Sequence, residues 1–146
     1  MFSDVIQFIR TLYPNDKSIP LHAPSFIGNE KKYVLDAIDS TFVSSVGTYV
    51  NQFESAFAQY VGADYAVAVV NGTAAVQVGL RLVGVKENDE VITQALTFVA
   101  TANAIAYNNA HPVFLDVDID TMGLSANAVS NFLDKVGELR DDGCYN

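Results

Sequence analysis

Asn71-Gly72-Thr73 stands where an apolar run, Ala66-Val67-Ala68-Val69-Val70, gives way to the helix-compatible stretch Ala74-Ala75-Val76. A buried strand feeding a helix through so tight a turn is where α/β proteins hold phosphates, because the first N–H groups of a helix lack intrahelical partners and sit at its positive end. Glycine at position 72 lets backbone approach an anion closely, and the Thr73 hydroxyl is placed either to cap the helix or to reach a phosphate. Taken alone, the three residues fit an ordinary strand-to-helix turn better than a binding site.

The elements around the turn decide between the two readings. Downstream, Val76, Leu80 and Val83 recur at helical spacing to Gly84, and the polar Lys86-Glu87-Asn88-Asp89 turn leads into a short strand from Glu90 to Thr93. Gln94-Ala95-Leu96 passes into a small-residue helix over Thr97 to Ile105, which Asn108-Asn109 ends, and Pro112-Val113-Phe114-Leu115-Asp116 supplies a further strand. Three strands alternating with helices predict an α/β fold with a mainly parallel sheet, whose ligands sit beyond the carboxyl ends of the strands. Gly72-Thr73 and the Leu96-Thr97-Phe98 turn both fall at such ends and are expected to face one pocket, which favours the phosphate reading.

Upstream, Val5, Ile6, Ile9 and Leu12 have helical spacing before Pro14-Asn15-Asp16, and Ile19-Pro20-Leu21-His22-Ala23-Pro24 is held extended by its prolines. A helix is predicted through Val34, Ala37, Ile38 and Phe42. After the polar loop Ser44-Ser45-Val46-Gly47, Thr48 is expected to cap a helix with Val50, Phe53, Phe57, Tyr60 and Val61 on its apolar face, closed by Gly62 in a left-handed conformation. The domain organisation expected is a lead-in over residues 1–27 and part of a larger domain over 28–146.

Composition excludes several functions. The 146 residues are 50% hydrophobic and 17% charged, enough for one globular domain, and the formal net charge of -9 with only eight Lys and Arg argues against nucleic acid or an anionic membrane as partner. The single cysteine, Cys144, has no internal disulfide partner, and a thiol near the end of the chain is ordinarily unreactive. No signal-peptide pattern opens the chain and no apolar stretch approaches membrane-spanning length, so a soluble, cytoplasmic protein is expected. Asp116-Val117-Asp118-Ile119-Asp120 begins like a calcium loop, but Thr121 stands where the turn needs glycine and Asn127 where a bidentate glutamate belongs. Neither a Walker loop nor a dinucleotide-binding glycine fingerprint occurs. His22 and His111 are far apart and form no metal-ligand cluster with the one cysteine, so no metal is expected.

Ile19-Pro20, Phe53-Glu54-x-x-Phe57-Ala58-x-Tyr60, Asn71-Gly72-Thr73-Ala74-Ala75, Asp89-Glu90-Val91-Ile92, Thr97-Phe98-Val99-Ala100-Thr101-Ala102-Asn103 and Pro112 to Asp118 together resemble the N-terminal part of the DegT/StrS-type nucleotide-sugar aminotransferases, pyridoxal-phosphate enzymes of fold type I. The resemblance covers almost the whole chain. The closing Gly143-Cys144-Tyr145-Asn146 is similar to the branch that aminates UDP-linked 4-keto-6-deoxy-N-acetylhexosamines on the way to legionaminic-type acids. The resemblance implies that Gly72 and Thr73 bind the 5′-phosphate of pyridoxal phosphate, that Phe98 lies against the pyridine ring, and that the loop carrying Ser45 and Gly47 borders the sugar-nucleotide site. Without the resemblance, Phe98 reads as a core aromatic.

The resemblance further implies a large domain cut short, a homodimer at full length, and transfer of an amino group from glutamate to a sugar ketone. The family's cofactor-linking lysine, its ring-nitrogen aspartate and a further phosphate-binding serine would lie beyond residue 146. None of Lys17, Lys31, Lys32, Lys86 and Lys135 stands in the lysine's setting, so no catalytic residue is assigned here and the chain alone is expected to be inactive. Two other readings stay open: a sugar dehydratase of the same family, with histidine in place of the lysine, and a non-enzymatic phosphate-binding α/β module.

Overall fold

A computed structural model describes residues 2–20, 22–141 and 143–146; Leu21, in the extended proline segment, lies outside them. The chain divides into two units, Met1–Ala66 and Val67–Asn146.

The first unit is helical: α1 (Ser3–Leu12), α2 (Glu30–Asp39) and α3 (Thr48–Val61). Each is ended by local chemistry. Pro14 stops α1 as expected. The helix predicted to run through Phe42 stops at Asp39, because the Ser40 hydroxyl donates to the Ala37 carbonyl at 2.8 Å and accepts from the Phe42 N–H at 3.2 Å. Thr41 then turns left-handed at φ 63°. At the start of α3 the expected cap is displaced by one residue. Gly47 holds the N-cap position and Thr48 is the first helical residue, with no side-chain cap. Gly62 closes α3 at φ 72°, and Ala63 N donates to Ala58 O at 3.0 Å, the six-to-one bond of a Schellman motif. Ala58 is the one buried residue among those described in this unit.

The second unit holds α4 (Gly72–Leu82), β1 (Glu90–Gln94), α5 (Val99–Ala106), β2 (His111–Leu115), α6 (Ala126–Val136), β3 (Glu138–Arg140) and β4 (Gly143–Tyr145). Strands β1 and β2 pair in parallel, Glu90 opposite His111 through to Gln94 opposite Leu115, with α5 as the crossover. Strands β3 and β4 form a separate antiparallel ribbon. The core lies where α5 meets the sheet: Ala104, Ile105 and Ala110 are almost fully buried. The small residues of α5 permit that close approach.

The α/β class and the parallel pair agree with the sequence reading, and both strands fall within one residue of their expected limits. The strand expected at Ala66–Val70 does not: those residues belong to neither sheet, and Val67 and Val70 are more than four-fifths exposed. A parallel strand exists only through its ladder neighbours, so an apolar β-branched run without one stays irregular.

Candidate functional site

The N-terminus of α4 was expected to begin behind Thr73. It begins one residue earlier, and Asn71 is its cap: the Asn71 Oδ1 accepts from Ala74 N at 2.9 Å, and Ala75 N donates to Asn71 O at 3.1 Å. Asparagine is among the strongest N-cap residues, which is the signal that identifies it. The Thr73 hydroxyl is therefore not used for capping. The backbone N–H groups of Gly72 and Thr73 and that hydroxyl have no hydrogen-bond partner among the described residues. A Cβ built on Gly72 meets nothing within 4 Å, so the backbone there is open on its Cα side. Three donors without partners in the first turn of an eleven-residue helix, at its positive end, are the chemistry a phosphate requires.

Phe98 occupies the corresponding place on α5. It is that helix's N-cap residue, with extended backbone (φ -70°, ψ 141°), and its ring is 79% exposed rather than built into the core. The loop leading to it is held at both ends. Ala95 N donates to Leu115 O at 3.0 Å, continuing the pairing beyond β1, and the hydroxyls of Thr97 and Thr101 lie 2.9 Å apart. Because α5 leaves the carboxyl end of β1, Phe98 lies at that end of the sheet. Helix α4 delivers the chain through the turn at Gly84–Asp89 to the amino end of β1, so it too runs from the carboxyl end.

Asn108, legible in the sequence only as part of the end of α5, ties the two helices together. It is 7% exposed, and its Nδ2 donates to the carbonyls of Gln77 on α4 at 3.1 Å and Ala104 on α5 at 2.9 Å. Its Oδ1 is buried with no partner, a state that costs about 1–3 kcal/mol.

Ser45 and Gly47 belong to the first unit. Gly47 lines a cleft of about 470 Å³ with Lys32, Tyr33, Asp36, Phe42 and Tyr49, whereas the exposed Ser45 is not among the lining residues. Within the cleft the Tyr49 hydroxyl donates to Asp36 Oδ2 at 3.1 Å, and the rings of Tyr33 and Tyr49 meet with centroids 5.3 Å apart. Partial burial first, then the hydrogen bond to Asp36 and the charge of its carboxylate, with a smaller contribution from Tyr33, raise the Tyr49 pKa above a tyrosine's ordinary value. The structure thus brings Gly72, Thr73 and Phe98 into one unit, at the starts of two packed helices, and Ser45 and Gly47 into the other. Among the described residues no three His, Cys, Asp or Glu side chains could hold a metal ion, and no helix is long and apolar enough to cross a membrane.

The profile of the DegT/DnrJ/EryC1/StrS aminotransferase family matches residues 24–136, taking in the Gly72 turn, Phe98 and both strands of the parallel pair. The chain belongs to this family. A GDP-perosamine synthase of Escherichia coli O157:H7 is 43% identical over 113 residues, which are 77% of this chain and 31% of that protein. Among solved structures, the aminotransferase from Psychrobacter cryohalolentis superposes with a TM-score of 0.69 at 33% identity, over 77% of this chain and 29% of its own. The PLP form of Spr1654 from Streptococcus pneumoniae does so with 0.65 at 27% identity, over 77% and 29%. The chain therefore spans about a third of the length of the relatives it matches. The family is one of pyridoxal-phosphate (PLP) enzymes, and the residues present fit that group: open donors for its phosphate and an exposed aromatic for its ring.

Proposed function

We propose that the chain forms part of the cofactor site of an aminotransferase acting on a nucleotide-linked 4-keto-6-deoxy sugar with glutamate as amino donor. The observation that carries the reading is the set of open donors on Gly72 and Thr73, left free because Asn71 does the capping. In this reading the two N–H groups and the Thr73 hydroxyl bind the 5′-phosphate, and the Phe98 ring covers one face of the pyridine and keeps water from it. Gly47, with Ser45 on the same loop, borders the sugar nucleotide. Residues 28–146 contribute to the large domain and residues 1–27 lead into it. When bound, the cofactor supplies the electron sink that amino-group transfer requires.

The narrower assignment is a UDP-linked 4-keto-6-deoxy-N-acetylhexosamine, supported by the closing Gly143-Cys144-Tyr145-Asn146; the GDP-perosamine synthase of the comparison makes the GDP-linked sugar the substrate to test against it. The whole enzyme is read as a cytoplasmic homodimer, the exposed apolar surface of the helices supporting the pairing. The chain by itself is expected to transfer no amino group, because none of its lysines matches the family's cofactor-linking position.

The test is a titration of the chain with pyridoxal phosphate and with pyridoxal, followed by their absorbance, and displacement of bound pyridoxal phosphate by inorganic phosphate. Pyridoxal phosphate is expected to bind more tightly than either other compound. Thr73→Val is expected to weaken it about tenfold, the value of one hydrogen bond to a charged group. Equal binding of pyridoxal phosphate and inorganic phosphate would replace this reading with that of a plain phosphate module.

A further inference from the structure

We infer that Asn108 is the positioning residue of the phosphate-binding end of α4, an inference that rests on the phosphate reading above. The side chain is buried at the C-terminal end of α5, and its amide nitrogen bridges two main-chain carbonyls, Gln77 O on α4 at 3.1 Å and Ala104 O on α5 at 2.9 Å. Turning the amide over would aim its oxygen at both carbonyls, so the chemistry fixes the nitrogen where it is. The oxygen is left buried and unpaired. An apolar residue of the same size would avoid that loss but would leave the buried Ala104 carbonyl without a donor, so the asparagine both closes the end of α5 and reaches across to α4.

What the asparagine supplies is a directed link between helices. Gln77 is five residues on from Gly72, about 7–8 Å along the axis of a rigid helix, so a tilt or slide at Gln77 is carried directly to the donors of Gly72 and Thr73. The same corner is fastened to the sheet. Asn109 O accepts from Asn88 N at 2.9 Å and His111 N donates to Asp89 O at 2.8 Å, both just ahead of β1. Among the described residues the one other polar contact between α4 and this corner, Gln77 Nε2 donating to Tyr107 O, is long at 3.5 Å. Asn108 thus sets where α4 begins relative to the strand that leads to Phe98.

Two variants of the full chain test this, with Gln77→Ala as control, since that change keeps the backbone carbonyl to which Asn108 donates. Asn108→Leu removes the link along with the unpaired oxygen. Asn108→Asp places a carboxylate oxygen against both carbonyls near neutral pH and an O–H donor there once protonated. The first readout is amide hydrogen exchange, which needs no cofactor: α4 amides are expected to exchange about tenfold faster in both variants at neutral pH, α5 amides to change little, and the aspartate variant to recover in acid. The second is the preference for pyridoxal phosphate over pyridoxal, expected to fall about tenfold in both variants and to hold in Gln77→Ala.

Unchanged α4 exchange in both variants overturns the inference. Faster exchange with the preference intact overturns the positioning role and leaves the phosphate reading standing. Equal affinity of the unaltered chain for pyridoxal phosphate and pyridoxal removes the phosphate reading and this role together. If the leucine variant fails to fold, the aspartate variant decides by its pH dependence.

Discussion

The two units differ in what makes their elements form. In the first, helix ends are set within a few residues of sequence: Pro14 after α1, the Ser40 hydroxyl after α2, the left-handed Gly62 after α3. Yet those helices bury only Ala58 among the described residues and leave Val5, Ile6, Leu35, Ile38, Phe53 and Phe57 exposed. In the second, β1 and β2 are brought into register across more than fifteen intervening residues, and α5 closes a small core on them. Local rules thus specify elements, whereas only non-local pairing gives them an interior. The total accessible surface makes the same point. It is 12211 Å² for 15.8 kDa, whereas even two separate compact domains of half that mass would expose only about 8800 Å² together.

The largest expected effect comes from the core of the second unit. Ile105→Ala deletes the largest fully buried side chain among the described residues and is expected to cost about 2–5 kcal/mol of that unit's stability. Leu35→Ala on α2, where the side chain is 59% exposed, is expected to stay within about 0.5 kcal/mol. Urea unfolding followed by circular dichroism measures both, at two protein concentrations. Comparable losses would mean that the first unit has a core in solution; if they became comparable only at the higher concentration, association would supply it.

An intermediate effect separates glycines by backbone conformation. Gly62 sits at φ 72° in the C-cap of α3, so Gly62→Ala is expected to destabilise that helix by about 1 kcal/mol. Gly79 lies inside α4 with nothing within 4 Å of an added Cβ, so Gly79→Ala is expected to add about 0.5–1 kcal/mol. Opposite signs in thermal melts of the two variants would confirm that the ends of the helices in the first unit rest on backbone conformation.

The same division explains what could be read in advance. Gly62 and Gly84 as helix ends, and the strands near Glu90–Thr93 and Pro112–Asp116, were legible because turn chemistry and short apolar runs mark them locally. The apolar run Ala66 to Val70 reads as a buried strand and forms none, because a strand is a relation between segments and the sequence of one segment does not contain it. Helix α6 escaped, although Ser125 caps it through Ala128 N at 3.3 Å and Val129, Phe132, Leu133 and Val136 follow at helical spacing; the acidic run before it, rejected as a calcium loop, reads as a solvated strand end, and no helix is expected behind it. At the candidate site, Gly72 and Thr73 were legible as a turn that could meet an anion. The capping by Asn71, which leaves the Thr73 hydroxyl free, needed coordinates, and the link made by Asn108 was invisible because it consists of two carbonyls that only the packing of α4 on α5 brings to it.

The smallest expected effect returns to the first unit, whose cleft offers a polar contact where a core is missing. The Tyr49 pKa is raised by partial burial, by donation to Asp36, by that carboxylate's charge and by Tyr33, so folding favours the neutral phenol. A group whose folded pKa lies above its unfolded value contributes stability that is fully present below the unfolded value and is lost as pH rises through the folded one. The link between α2 and α3 is therefore expected to hold from neutral pH up to a tyrosine's ordinary 10.0 and to loosen above it, when a phenolate would face the Asp36 carboxylate. Tyrosinate absorbance should show one tyrosine ionising later than the rest, and Tyr49→Phe should delete that component with little change in melting at neutral pH, since an exposed contact of this kind contributes little. If Asp36→Asn left the late component where it was, the charge of the carboxylate would not be what holds the phenol neutral, and burial with an uncharged acceptor at position 36 would suffice.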